Sequence, residues 1–100
     1  MYFITVFEGL EPSELFGMTY KICRTWGYYS EYDRAVGALH LNKADMHEGC
    51  YEYALIEKIG EGISANVEER QWFYWDKNSK GYFEIEEPEY VKCFTNFAIG

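Results

Sequence analysis

The sequence lacks the features that mark a membrane, secreted or disulfide-stabilised protein. No apolar run approaches the ~18–20 residues needed to cross a bilayer, so no transmembrane helix is expected. The chain starts directly with Y-F-I-T-V-F, without a basic leader or a cleavage site, and a signal peptide is therefore not expected. Cys23, Cys50 and Cys93 form an odd set with no C-x-x-C spacing, which favours reduced thiols in a cytoplasmic protein.

Basic residues are also few in this chain. Nine lysines and arginines stand against seventeen acids, which gives a formal net charge of −8. Binding to nucleic-acid phosphates needs clustered Lys and Arg, so direct nucleic-acid binding is disfavoured. The chain also lacks a glycine-rich phosphate loop. A protein partner with a basic surface fits the acidity, and solubility alone explains such a charge equally well.

Aromatic residues, by contrast, are abundant. Ten Tyr, seven Phe and three Trp make up 20% of the 100 residues, within a hydrophobic fraction of 48%. This length and composition predict one folded domain over residues 1–100. A core of this size does not easily enclose so many rings, so some are expected at the surface, where binding sites use them. The alternative is that large rings fill a thin core.

The strongest strand pattern lies at residues 51–59, Y-E-Y-A-L-I-E-K-I, which is apolar on both faces. Such a strand belongs in the middle of a sheet, and Glu57 within it then needs a partner. Further strands are predicted at 2–8, 18–25, 71–75 and 82–86, the last two joined by a hairpin loop. Residues 10–17 and 63–70 are predicted to be connections, and the apolar tail 89–100 is expected to dock on the core.

One helix is predicted over residues 31–41, after a tight turn at Gly27. Ser30 is placed to cap it with support from Asp33, and Asn42 suits a left-handed exit. Residues 43–50 form either an irregular loop or a short second helix. The helix carries an apolar stripe that would pack on the sheet: Tyr32, Ala35, Val36 and Leu39. The predicted fold class is therefore α+β, an antiparallel sheet of four to five strands with one main amphipathic helix packed on one face.

Polar side chains concentrate between the helix and the central strand, at His40, Asn42, Asp45, His47, Glu48 and Cys50. Imidazole, carboxylate and thiolate are zinc ligands, but their spacing here matches no established metal motif. His47 and Cys50 could form a nucleophilic pair, yet no oxyanion-binding glycine loop accompanies them, and Cys50 could equally be a buried apolar side chain. We therefore assign no catalytic residue, metal or cofactor, and interpret four of these residues as a structural polar cluster: Asn42, Asp45, His47 and Glu48. Arg24 is predicted to meet Asp45 and Glu48 in a partly buried arrangement.

Two groups of residues are candidates for binding. The first combines rings with one arginine and one amide: Arg24, Trp26, Tyr28, Tyr29, Trp72, Trp75 and Asn42. Aromatic faces beside an arginine can hold a planar base with its phosphate. The alternative is a core of rings in which Arg24 pairs with Glu48 or Glu57.

The second group is acidic: Glu57, Glu61, Glu68, Glu69, Glu84, Glu86, Glu87 and Glu89. On neighbouring strands, these acids and the rings between them could occupy a basic groove built for nucleic acid. We select Glu84, Glu86 and Glu87 as partner-binding candidates. The alternative is an ordinary solvated face.

Three segments carry a resemblance to known sequences: W-G-Y-Y, then A-V-G-A-L-H-L-N-K-A-D-M-H-E, then Y-E-Y-A-L-I-E-K-I-G-E-G-I. Over roughly residues 24–75 the chain resembles a group of small uncharacterised proteins from Firmicutes genomes and their phages and mobile elements. That group has no established activity, so no site residue follows from it. The resemblance implies a cytoplasmic accessory protein, encoded by a phage or an integrated element.

The function expected from the sequence is non-enzymatic: a small acidic protein that engages another macromolecule. Its concrete form is an inhibitor or decoy of a host nucleic-acid-handling or defence protein. The first alternative is a small-ligand-binding protein with a nucleotide-like ligand held by the aromatic and arginine residues. A small hydrolase or a metal-binding protein ranks below both. The sequence leaves a homodimer open.

Overall fold

The structure is a computed structural model, which describes residues 1–13, 17–20, 23–62 and 67–88, without the side chains of 11–13 and 17–20. Its elements are, in chain order, β1 Tyr2–Phe7, β2 Leu10–Ser13, β3 Gly17–Tyr20, β4 Cys23–Tyr29, α1 Tyr32–His40, a 3-10 turn Lys43–Asp45, β5 Tyr53–Ile59, β6 Val67–Asp76 and β7 Gly81–Ile85. No helix in these ranges is long and apolar enough to cross a membrane. The predicted docking of the tail 89–100 lies outside the described residues.

Five antiparallel strands form the main sheet in the order β4-β1-β5-β6-β7, and α1 packs on one face of it. This arrangement confirms the predicted α+β class. β5 occupies the middle of the sheet, as its two apolar faces require. The helix confirms its prediction to within one residue at each end, and Asn42 leaves it in the left-handed region.

The helix covers a core that alternate residues of the strands supply. Ile4 and Val6 on β1 lie opposite Ile56 and Ala54 on β5, and these side chains pack against Leu39 of α1. Other members of this cluster are Ala35, Ala38, Met46, Phe73 and Tyr82. The helix therefore contributes small residues at its contact points, which lets its backbone approach the sheet closely.

The other face of the sheet has its own buried cluster of Phe7, Leu55 and Trp72. Two polar side chains are buried on the same face, and both are paired. The hydroxyl groups of Thr5 and Thr25 lie 3.0 Å apart across β1 and β4. Glu57 faces Arg70 across β5 and β6, so it has the partner that its burial demands.

Five predictions of local structure were wrong, and the first two concern residues 10–25. The predicted loop over 10–17 contains β2, which pairs with β3 as a separate two-stranded hairpin. Pro12 is compatible with this because both strands of such a hairpin are edge strands. The predicted strand 18–25 is likewise divided between β3 and β4.

The next two errors concern a glycine and a charged run. Gly27 is not at a turn but inside β4, where the pairing with β1 passes from Thr25 to Gly27 and leaves Trp26 as the extra residue of a bulge. The polar run 67–70 belongs to β6, because Glu69 and Arg70 lie opposite Lys58 and Glu57 of β5. Charges that were interpreted as a connection are thus cross-strand pairs.

The helix also begins differently from its prediction. Glu31 is the N-cap residue, in extended conformation, and within the described chain its side chain makes no capping hydrogen bond. Ser30 therefore lies one position before the cap and does not have the predicted role.

Candidate binding surfaces at the two edges of the sheet

The chain after α1 forms a loop, residues 41–50, with an unusual backbone. Asn42, Ala44, Asp45 and Glu48 all have positive φ angles, between 48° and 58°. Non-glycine residues rarely adopt this region, and groups of them are typical of functional sites that the surrounding structure holds in place. Asn42 supplies part of that support. Its amide donates to Asp45 Oδ1 at 3.1 Å, and its Oδ1 accepts from the His47 backbone N–H at 3.0 Å.

The members of the polar cluster do not converge on one point. Glu48 Oε1 lies 3.4 Å from Arg24 Nη1, as the sequence suggested, whereas Asp45 bonds to Asn42 instead of Arg24. The pair is also well exposed, with 51% of the Arg24 side chain and 40% of the Glu48 side chain accessible, so the expected partial burial is wrong. The cluster holds the loop locally rather than forming a buried ionic centre.

The two histidines have separate environments. The His47 ring stacks on Trp75, with centroids 3.8 Å apart and planes 5° from parallel. Desolvation in this contact lowers the pKa of His47, against a smaller opposite effect of Asp45 and Glu52. His40 instead bonds to Glu84 on β7, at 2.7 Å from Nε2 to Oε1. Cys50 is exposed rather than buried. Across the described ranges, no three His, Cys, Asp or Glu side chains are placed to hold a metal ion.

A pocket of about 320 Å³ lies between β4 and the loop 41–50, and we call it the β4 pocket. Three buried apolar side chains form its floor: Ile4, Ala38 and Met46. Trp26 and Tyr29 supply its rings, and Lys43 and Ala44 line the loop side. Tyr28 borders the pocket, but its ring packs on Phe3 on the other face of the sheet. The bulge in β4 is what places Trp26 here. Nothing lies within 4 Å of the position that a Gly27 Cβ would take, so this wall is open.

Cations gather beside the rings of the β4 pocket. The Arg24 guanidinium lies 4.0 Å from the centroid of Trp26. Arg34 and Lys43 lie 5.2 and 5.9 Å from the centroid of Tyr29. Cation–π contacts of this kind are worth about 0.5–1 kcal/mol each at exposed sites. Three of the nine basic residues thus contact the rings of this pocket, and Lys43 also lines it.

A row of rings crosses the other half of the sheet, from the middle strand to the edge strand β7, and we call it the ring row: Tyr53, Tyr74 and Phe83. These residues are direct cross-strand partners on β5, β6 and β7. The rings of Tyr53 and Tyr74 meet edge to face at 4.9 Å. Tyr74 is 41% exposed and Phe83 is 39% exposed, although Phe83 also stacks on His40. Neighbouring exposed rings such as Tyr74 and Phe83 make this row a candidate interaction site.

Acidic side chains flank the ring row. The Tyr74 hydroxyl donates to Glu52 Oε2 at 3.4 Å, and Glu84 adjoins Phe83 on β7. Glu84 and Glu86 are exposed, and Glu87 accepts from the Trp72 indole and pairs with Arg70. The predicted acidic face thus includes Glu84 and Glu86. It does not include Glu57, which is buried in the sheet. Glu61, Glu68 and Glu69 are exposed elsewhere, and Glu89 lies outside the described residues.

Several residues of the first candidate group lie away from the β4 pocket. Trp72 is 1% exposed, on the face opposite the helix, and β1 and β5 separate its strand from β4. Trp75 stacks on His47, and Asn42 supports the loop. Of this group, Arg24, Trp26 and Tyr29 come together beside the pocket, whereas the Tyr28 ring packs on Phe3 on the other face of the sheet. The sequence treated Trp72 and Trp75 as partners of Arg24 because composition alone does not give strand order.

Residues that sequence reasoning missed are Arg34 and Lys43 at the pocket, and Tyr53, Tyr74 and Phe83 in the ring row. The ring row could have been found. The hairpin loop D-K-N-S-K-G sets Asp76 opposite Gly81, and counting back from that pair sets Tyr74 opposite Phe83. For Arg34 and Lys43 no comparable signal exists, because they meet Tyr29 only through the path of the loop.

These features define a small α+β protein with two surfaces that carry aromatic rings. Basic side chains lie beside the β4 pocket, and acidic side chains lie beside the ring row. No family model, no curated protein and no solved structure matches the chain. Its function is therefore inferred from its own geometry.

Proposed function

We propose that this protein is a non-enzymatic binding protein whose ring row and flanking acids engage a protein with a basic surface. The observation that carries the proposal is the exposure of Tyr74 and Phe83 side by side, next to Glu52 and Glu84. Exposed rings of this kind supply the anchors of protein interfaces, since they bury much apolar area with little loss of side-chain freedom.

The acids complement the rings in this proposal. A chain with net charge −8 attracts basic partners over a distance set by the ionic strength, and the acids beside the rings orient the encounter. A groove that normally holds nucleic acid offers positive charge and stacking positions. An acidic surface with rings fits that chemistry. We therefore propose an inhibitor or decoy of a nucleic-acid-handling or defence protein, acting in the cytoplasm of a host cell.

The test compares three baits in host lysate at low and at high salt: wild type, the double variant Tyr74→Ala/Phe83→Ala, and Tyr28→Ala. Tyr28 is the matched control, because it is 59% exposed but lies on the opposite edge strand. The expected result is a protein that wild type and Tyr28→Ala retain at low salt, that the double variant does not retain, and that high salt releases.

Two results would overturn the proposal. One is an identical set of retained proteins with all three baits. The other is retention that high salt does not weaken, because binding steered by the acids must weaken as salt screens them. Circular dichroism of each bait beforehand establishes that the double variant is folded.

A further inference from the structure

We propose that the β4 pocket binds a small planar anion of the nucleoside-monophosphate class. The pocket belongs to the edge of the sheet opposite the ring row, so this site is independent of the protein-binding surface proposed above. Binding here can fail while the ring row functions, and the reverse also holds.

The size and lining of the pocket favour one ring system. Its volume of about 320 Å³ is near the lower end of the range for small-molecule sites, ~300–1,000 Å³. It suits one base with its sugar better than a dinucleotide. The rings of Trp26 and Tyr29 line it, and bases of any sequence stack on such rings.

The charge around the pocket favours an anionic group on that ligand. Arg24 already pairs with Glu48, so the anion would be held by Arg34 and Lys43, which flank Tyr29 and are both exposed. Hydrogen bonds from such cations to phosphate oxygens are stronger than those between neutral groups. The net charge of the chain is −8, so Arg34 and Lys43 supply the local positive charge that an anion needs at this pocket.

A buried donor supplies a further argument for a ligand. In the part of the chain that the structure describes, the indole N–H of Trp26 is buried and has no hydrogen-bond acceptor. Buried donors in folded proteins are nearly always paired, because an unpaired one is costly. Trp26 lines the pocket, so a small movement of its ring on binding would bring this donor to a ring or sugar oxygen of the ligand.

The test is a titration of ¹⁵N-labelled protein with adenosine 5′-monophosphate, followed by NMR through backbone and indole resonances. Adenosine and inorganic phosphate are titrated separately. We expect saturable shifts at the Trp26 indole, at residues 27–29 and at Lys43 and Ala44, with the monophosphate binding more tightly than either half. Lys43→Glu should weaken binding roughly tenfold or more. Lys77→Glu makes the same charge change in the exposed hairpin turn and should leave binding unchanged.

Three results would overturn the site. Absence of saturable shifts at the pocket would do so, as would shifts confined to the ring row. Equal weakening by Lys43→Glu and Lys77→Glu would show attraction to overall charge rather than to this pocket. If inorganic phosphate binds as tightly as the monophosphate, the planar part of the ligand contributes nothing and the assignment of class is wrong.

Discussion

Two arginine–glutamate pairs in this protein use the same chemical groups in opposite surroundings. Arg70 and Glu57 face each other across β5 and β6, with 13% and 0% of their side chains accessible. Arg24 and Glu48 join β4 to the loop 41–50 and are about half exposed. The nearest charged atoms are 3.7 Å apart in the first pair and 3.4 Å apart in the second. Distance alone would rank the exposed pair as the stronger.

Burial reverses that ranking. An exposed ion pair contributes about 0–1 kcal/mol, because water solvates both groups when the pair is broken. In a buried pair, loss of one member leaves the other charge without water, at a cost of about 3–5 kcal/mol. Arg70 also lies 3.5 Å from Glu87, which in turn accepts from the Trp72 indole. The buried pair thus belongs to a network that holds β5, β6 and the chain after β7 together.

The largest effect is expected from Arg70→Met, which keeps the length of the side chain and removes its charge. Glu57 then stays buried without the Arg70 guanidinium, and we expect the free energy of unfolding to fall by about 3–5 kcal/mol. That is a large part of the ~5–15 kcal/mol typical of a whole domain. Equilibrium unfolding in urea measures it.

Arg24→Met is the matched control for this change. It removes the same groups from the exposed pair, together with the cation–π contact to Trp26, and should lower stability by less than about 2 kcal/mol. Similar losses in the two variants would show that burial does not separate the pairs. A loss below about 1 kcal/mol in Arg70→Met would mean that Glu57 is solvated or otherwise paired once the arginine is gone.

The sequence predicted the parts of the fold that depend on alternating apolar residues. β5 was identifiable because residues on both of its faces are apolar, and α1 because Ala35 and Leu39 recur at helical spacing. Both signals are local. The β2–β3 hairpin, by contrast, is stabilised by pairing between strands, while its Pro12 and Gly17 resemble loop residues. Local composition therefore opposed the observed structure there.

The sites were harder to predict for the same reason. Arg24 stacks on Trp26 two residues along β4, a spacing at which strand residues share a face, but the glycine that follows suggested a turn. Interpreting the polar run 67–70 as a connection concealed the partner of Glu57. Lys43 reaches Tyr29 through a loop with several left-handed residues, which residue preferences alone do not predict.

A second contrast between buried and exposed contacts involves two tyrosine hydroxyls, and its effect should be intermediate. The buried Tyr82 hydroxyl donates to the Tyr51 carbonyl, whereas the Tyr74 hydroxyl reaches Glu52 at an exposed position. Tyr82→Phe leaves a carbonyl without its donor and should cost about 1–3 kcal/mol. Tyr74→Phe should cost close to nothing, because water replaces the lost contact. Thermal and urea unfolding of both variants measure the difference, and equal losses would contradict it.

At alkaline pH, the difference in free energy of unfolding between wild type and Tyr82→Phe should become smaller. Burial raises the pKa of Tyr82 above its ordinary value of about 10. Above that pH the unfolded chain ionises this tyrosine while the folded chain does not, so stability is full below about pH 10 and falls as pH rises. Wild type therefore loses about 1.4 kcal/mol of stability per pH unit through this one group. Tyr82→Phe has no hydroxyl to ionise there and does not undergo this loss. Urea unfolding of both proteins from neutral to strongly alkaline pH tests this prediction. A stability difference that does not change with pH would contradict it.

The smallest effect is expected from Glu48→Gln, in the exposed pair. The sequence alone suggested a clear fall in melting temperature, since Arg24, Asp45 and Glu48 were expected to be partly buried together. With both partners about half exposed, the change should cost about 0–1 kcal/mol, and the cost should decrease further in high salt.

Melting curves of wild type and Glu48→Gln, at low and high salt and with and without EDTA, check this last expectation. The separation between the two curves should be small at low salt and smaller at high salt, and EDTA should change neither. A large separation that persists in high salt would place Glu48 in a buried network and remove the contrast with Glu57. If EDTA destabilised the wild type but not Glu48→Gln, Glu48 would instead be a metal ligand. Its exposure and its contact with Arg24 do not suggest that role.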